Sequence, residues 1–279
     1  YLFLLLRNTA WPGMAWLAVA TLTASGLVAG ADLGWRPAAA DGAELSQVLS
    51  RAIVALLWLN GVFLLATLWR RYGPRLASWL HWRQADLARP LFWLPFVALI
   101  LVLVVLGQLE WQLFWGWLSL QPAPWGLILA ALLLTATAVH AFYLRAKAMQ
   151  AHGVLLALMA LLGSFFLKAA LPLLWVPLAL AVWNGALLLA WRYLTDRWVV
   201  WRSALAQWLA VLPAIILALL WTLTGFEWGS VTATLLVLAV VMLAQGGWQG
   251  DATRLKLGLM LVLAASYTVW IIGQSGLPI

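Results

Sequence analysis

Cysteine is absent, and with it disulfides, thiolate metal sites and cysteine nucleophiles. Charge is scarce: 9% of residues are Asp, Glu, Lys or Arg, against roughly 25% in a soluble domain. Only 8 of the 279 residues are acidic, and no Asp-x-x-Asp cluster occurs, so paired carboxylates for metal-diphosphate chemistry are missing. The histidines are His81, His140 and His152. His140 and His152 flank one short loop and can approach each other, but two imidazoles without a third ligand make a poor zinc site. A haem pair would need facing positions inside a bundle. No Gly-x-Ser-x-Gly elbow is present. The GGWQG run at 246–250 follows no strand and lacks a phosphate-binding lysine at the required spacing, so it reads as a loop. No catalytic residue, metal ligand or cofactor site is expected.

What is abundant is apolar. Hydrophobic residues make up 66% of the chain, mean hydropathy is +1.00, and long apolar runs recur throughout. A helical crossing of a bilayer needs about 20 such residues, whereas barrel strands are shorter and alternate. The expected fold is all-α, a polytopic membrane helix bundle. Pro, Gly and charge punctuation divides it into nine crossings near 8–29, 51–69, 91–109, 124–144, 153–171, 173–191, 205–224, 230–247 and 255–273. Lys168 and Pro172 mark a tight hairpin that splits the long run at 153–191. The chain starts at Tyr1, inside an apolar run without a signal-type charged region, and is expected to be part of a longer polypeptide.

The net charge of +8 reads as topology rather than as a nucleic-acid surface. With the N-terminus cytoplasmic, the inner segments hold Arg7, Arg70, Arg71, Arg75, Arg83, Arg89, Arg145, Lys147, Arg192, Arg197, Arg202, Arg254 and Lys256. Of sixteen Lys and Arg, only Arg36, Arg51 and Lys168 fall outside. Asp32, Asp41, Glu44, Glu110 and Glu227 fall in external segments. Every alternate loop then obeys the positive-inside rule, and the C-terminus is external. Many of the 22 tryptophans, Trp69, Trp111, Trp125 and Trp228 among them, sit at expected helix ends, where indole prefers headgroup depth.

Arginine is densest in LWRRYGPRLASWLHWRQADLARP (68–90). On a helical wheel Leu76, Leu80 and Leu87 share one face beside Trp79. Pro74 suits a first turn, and Arg89-Pro90 an end. This predicts an amphipathic helix over 74–89 lying in the interface. Arg70, Arg71, Arg75, Trp79, Trp82, Arg83 and Arg89 would meet anionic lipid of the inner leaflet.

The pattern has an echo. LLWLNGVFLLATLWRRY (56–72) resembles LAVWNGALLLAWRYL (180–194), and HWRQADLARPLFWLPFVALILVL (81–103) resembles VWRSALAQWLAVLPAIILALL (200–220). Both following turns carry Glu-Trp. A parallel four-helix repeat is therefore expected, with units 1–150 and 151–254 and an extra helix at 255–273. Asn60 and Asn184 occupy matching mid-crossing places. Asparagine in hydrocarbon needs a partner, so each is either helix–helix glue, with Gly61 and Gly185 permitting close approach, or part of a substrate site between repeats.

The order of SQVLSRAIVALLWLNGVFLLATLWRR, HWRQADLARPL and FWLPFVALILVLVV across 46–105 resembles the inner-membrane region of the large, many-helix mechanosensitive channels of the MscS superfamily, the MscK-like and MscM-like group. WPGMAWLAV (11–19) and DRWVVWRSALA (196–206) are similar to further segments of it. The resemblance implies a lipid-embedded, tension-sensing bundle in a bacterial inner membrane, homo-oligomeric as part of a channel. The family's Gly/Ala-rich pore helix and β-rich vestibule have no counterpart here, so no pore-lining residue carries over. Two other functions stay open on the residues alone. One is a secondary transporter of two parallel repeats, and the other an intramembrane lipid-modifying enzyme using sparse polar residues.

Overall fold

A computed structural model describes residues 12–29, 42–80, 84–114, 123–194, 198–223 and 228–275. Its helices are α1 (Pro12–Ala29), α2 (Gly42–Leu80), α3 (Gln84–Phe114), α4 (Trp125–Leu144), α5 (Ala148–Lys168), α6 (Val176–Tyr193), α7 (Val199–Leu223), α8 (Trp228–Gln249) and α9 (Ala252–Ser275). No strand occurs among the described residues. Eight helices are long and apolar enough to cross a membrane, while the apolar part of α1 is the shorter Ala15–Ser25. A spanning chain must satisfy its backbone N–H and C=O groups internally, and the helix does this within one segment. The chain is a helical integral membrane protein.

It divides into two compact units, Tyr1–Ala170 and Leu171–Ile279. In the first, α2 packs against α1, α3 and α4, and α3 also packs against α1, α4 and α5. Small residues let these helices meet: Ala15, Ala18 and Val19 of α1 join Val62, Ala66, Trp69 and Ala77 of α2 and Leu87 and Leu91 of α3 in one buried cluster. Lipid tails are as apolar as leucine, so close packing and hydrogen bonds carry the association rather than transfer from water. Trp58 Nε1 donates to the Leu22 carbonyl at 2.8 Å, tying α2 to α1.

In the second unit α6 packs against α7 and α8, and α8 pairs with α9 along its length. The α8–α9 turn is built from its residues upward. Gly250 adopts φ +67°, the left-handed conformation glycine takes without penalty. Asp251 N–H then returns to the Gly246 carbonyl at 2.9 Å, closing a Schellman motif. Asp251 also caps α9, accepting from Thr253 N–H at 3.0 Å and pairing with Arg254 at 3.1 Å. The GGWQG run is thus not the expected loop: residues 246–249 are the last turn of α8, and the break falls at Gly250 alone.

The run at 153–191 is interrupted where expected. Helix α5 ends at Lys168, Ala170 takes φ 51°, and Pro172 leads into a 3₁₀ turn at Leu173–Trp175 before α6.

The arginine-rich stretch differs from its expectation. Residues 74–80 continue α2 and 84–89 open α3, with Pro74 and Pro90 inside those helices. No separate helix begins at Pro74. The reason is the buried stripe: Val62, Ala66, Trp69, Gly73 and Ala77 keep facing the bundle across the proline, so packing holds the helix together. Trp69 accordingly lies in the core, 8% exposed.

Candidate functional site

The first unit carries a polar seam between α2 and α4. Asn60 Nδ2 donates to the Leu56 carbonyl and to Thr137 Oγ1, and Thr137 Oγ1 reaches the Leu133 carbonyl at 2.6 Å. Two turns along, Thr67 Oγ1 lies 2.9 Å from His140 Nε2, and Thr67 also donates to the Phe63 carbonyl at 3.0 Å. The His140 ring packs at 5.9 Å from Phe63. Arg70 Nη1 donates to the Leu144 carbonyl at 3.3 Å, satisfying one of the free carbonyls at the end of α4. Asn60 with Thr137, Thr67 with His140, and Arg70 with the Leu144 carbonyl all link the same two helices. Asn60 thus bonds across α2 and α4, and His140 meets Thr67 of α2. Gly61 plays no part in close approach, since a Cβ there would meet nothing within 4 Å.

A second polar contact joins α3 to α5. Glu110 is 7% exposed, inside α3 and not in an external turn. Ser164 Oγ lies 2.7 Å from Glu110 Oε1 and 2.9 Å from the Ala160 carbonyl. A Cβ on Gly163 would stand 3.2 Å from Glu110 Oε2, so glycine leaves room for the carboxyl group. Nearby, Lys168 Nζ sits 4.7 Å from the centre of the Trp125 ring. The sequence did hold a signal for this site: Leu106, Leu109 and Leu113 continue the helical stripe through Glu110, and all three are buried.

Between α3, α4 and α5 runs a cleft of about 210 Å³. Its walls include Phe96, Leu103, Leu134, Gly153 and Ala157, and Ile100, Met149 and Leu156 at its rim are exposed. Gln150 is the polar side chain sunk in it, 1% exposed, with neither amide atom hydrogen-bonded. His152 also lines it.

In the second unit Asn184 of α6 is fully buried, and neither of its side-chain atoms finds a hydrogen-bond partner; the same holds for Gln245 of α8. Gly185 does allow close approach, its missing Cβ facing Val241 at 3.4 Å.

Arg70, Arg71, Arg75 and Arg89 are exposed. Trp79 lies in α2 with its side chain outside the described set, and Trp82 and Arg83 lie outside the described residues. Arg145 packs over Phe92 and Trp93 at 5.1 and 5.4 Å from the ring centres, near the same end of the bundle as Arg70. Among the described residues no three His, Asp or Glu side chains gather as a metal site.

No family model matches the chain, and neither a curated protein nor a solved structure matches it.

Proposed function

We propose that the chain is a lipid-embedded sensor bundle of a mechanosensitive ion channel, and not an enzyme. It lies in a bacterial inner membrane with its N-terminus cytoplasmic and its C-terminus external, and acts in a homo-oligomer. The observation that carries this reading is the cleft between α3, α4 and α5. Apart from Gln150 and His152 its walls are apolar, its rim residues Ile100, Met149 and Leu156 are exposed, and it lies within membrane-spanning helices. A cleft of that chemistry fills with lipid rather than with a hydrated solute. Its occupancy changes when the bilayer thins, which gives tension a differential free energy to act on. Arg70, Arg71, Arg75 and Arg89, exposed together, hold anionic headgroups on the cytoplasmic side.

The test is pressure-clamp recording from liposomes containing the full-length protein. A Gly153→Phe substitution fills the cleft, because a Cβ at Gly153 meets nothing within 4 Å. The expected result is a tension-gated conductance whose threshold moves in the variant. A conductance with an unmoved threshold, or none under tension, overturns the reading.

A second reading rests on Asn184 and Gln245, both buried and unpartnered on packed helices. In a secondary transporter of two parallel repeats these amides bind a polar solute. Thermal stabilisation by such a solute, lost in Asn184→Leu, would favour it over the sensor.

A further inference from the structure

We infer that Glu110 is a proton-binding site, a carboxylic acid that keeps its proton within the bundle and donates it in a hydrogen bond to Ser164. The argument is a count of hydrogens. Ser164 Oγ has two oxygen neighbours at hydrogen-bonding distance, Glu110 Oε1 at 2.7 Å and the Ala160 carbonyl at 2.9 Å. A serine hydroxyl has one hydrogen to give. Were Glu110 ionised, that hydrogen would serve one neighbour, and the other contact would bring two lone pairs together. With the proton on Glu110 both contacts are filled: the carboxyl O–H donates to Ser164 Oγ, and the Ser164 O–H donates to the Ala160 carbonyl.

The surroundings agree. Ser164 is fully buried, and Glu110 lies four residues from the end of α3. No donor among the described residues reaches Oε2, which faces the backbone of Gly163. The charged groups on the elements packed against this end of α3 are few. Helix α5 brings Lys168, which is turned onto Trp125. Helix α2 brings Arg51 and Glu44, the latter with its side chain outside the described set. At this end α1 and α4 bring no titratable side chain. Among the described residues the hydrogen-bond donor that meets this carboxyl group is the neutral Ser164 hydroxyl, and inside a membrane bundle a carboxylate so placed is the costly form, the acid the satisfied one.

Infrared spectroscopy of the full chain in lipid nanodiscs at neutral pH tests this. The chain holds eight acidic residues, so a single protonated carboxyl is resolvable. We expect a carbonyl-stretching band of a hydrogen-bonded carboxylic acid that shifts in D₂O and vanishes in Glu110→Gln. In Ser164→Ala the acid loses its acceptor, and the band persists at higher frequency. That second variant keeps the test intact should Glu110→Gln fail to fold. Absence of the band at neutral pH in the unsubstituted chain, its survival in Glu110→Gln, or an unmoved frequency in Ser164→Ala overturns the inference. None of these outcomes depends on channel activity, so the sensor reading and this one fail separately.

Discussion

Gly258 of α9 faces Leu243 of α8 so closely that a Cβ on Gly258 would stand 2.7 Å from Leu243 Cγ and 3.1 Å from its backbone N. Small residues at such crossings are how membrane helices gain contact, since no hydrophobic driving force between them exists in lipid. Gly258→Ala therefore has to push the helices apart, the backbone atom being unable to rotate away. The expected cost is about 1–3 kcal/mol, the usual range for overpacking. Thermal unfolding of the purified protein checks it, with Gly247→Ala as the control, because a Cβ at Gly247 meets nothing within 4 Å.

The α2–α4 seam gives a second expectation. Asn60 and Thr137 bond directly, and each also bonds its own helix backbone. Because Thr137 keeps the Leu133 carbonyl when Asn60 is removed, the coupling between the two side chains should be modest. A double-mutant cycle over Asn60→Ala and Thr137→Ala should return about 0.6 kcal/mol, and no more than about 1.7 kcal/mol, the span found for interhelical hydrogen bonds in membranes. Equilibrium unfolding in detergent micelles measures it.

Eight of the nine expected crossings meet helices long and apolar enough to span, because hydrocarbon thickness imposes a length on every apolar run and Pro, Gly and charge fall between runs. Lys168 and Pro172 announced the interruption that Ala170 and the 3₁₀ turn realise. Helix ends were less legible. Gly107, Gln108 and Glu110 look like the close of a crossing, yet α3 continues to Phe114 because Leu106, Leu109 and Leu113 keep burying one face. Pro74 looks like a beginning, yet Gly73 and Ala77 carry the α2 stripe past it. In both places tertiary packing overrode a local signal, which composition and a helical wheel do not contain.

The site residues divide along the same line. Asn60 was recognisable because an amide in hydrocarbon demands a partner, but the partner, Thr137, lies 77 residues away and nothing local names it. Glu110 was misplaced in a turn because a lone acid reads as a loop residue until Ser164 and Gly163 are brought opposite it. The repeat pattern paired Asn60 with Asn184, and their surroundings differ: the first is bonded, the second has no partner.

Ala170 supplies a third expectation. Its φ of 51° lies in the left-handed region, where Cβ crowds the following carbonyl. Glycine removes that crowding but adds freedom to the unfolded chain. The steric gain is about 1–2 kcal/mol and the entropic loss about 0.4–1 kcal/mol, so Ala170→Gly should stabilise by about 0–1.6 kcal/mol. A small rise in Tm is the measurement. A fall would mean that the methyl group contributes packing that its exposed position does not indicate.

Asp251 has two roles at the head of α9, and they are separable. Its Oδ1 accepts from the Thr253 and Arg254 backbone N–H groups at 3.0 and 3.4 Å, while Oδ2 pairs with Arg254 Nε at 3.1 Å. Capping is short-range and survives in asparagine, which ranks with aspartate at this position. The ion pair does not survive, but it is partly exposed and Arg254 keeps its bond to Gln249 Oε1 at 2.7 Å. Asp251→Ala should therefore cost about 1 kcal/mol through the lost cap, and Asp251→Asn no more than about 0.5 kcal/mol. Raising salt to screen exposed charges should narrow the difference between the unsubstituted protein and Asp251→Asn while leaving the Ala variant's deficit against Asn unchanged. Equal losses in both variants, in low and high salt, would place the weight on the charge instead of the cap.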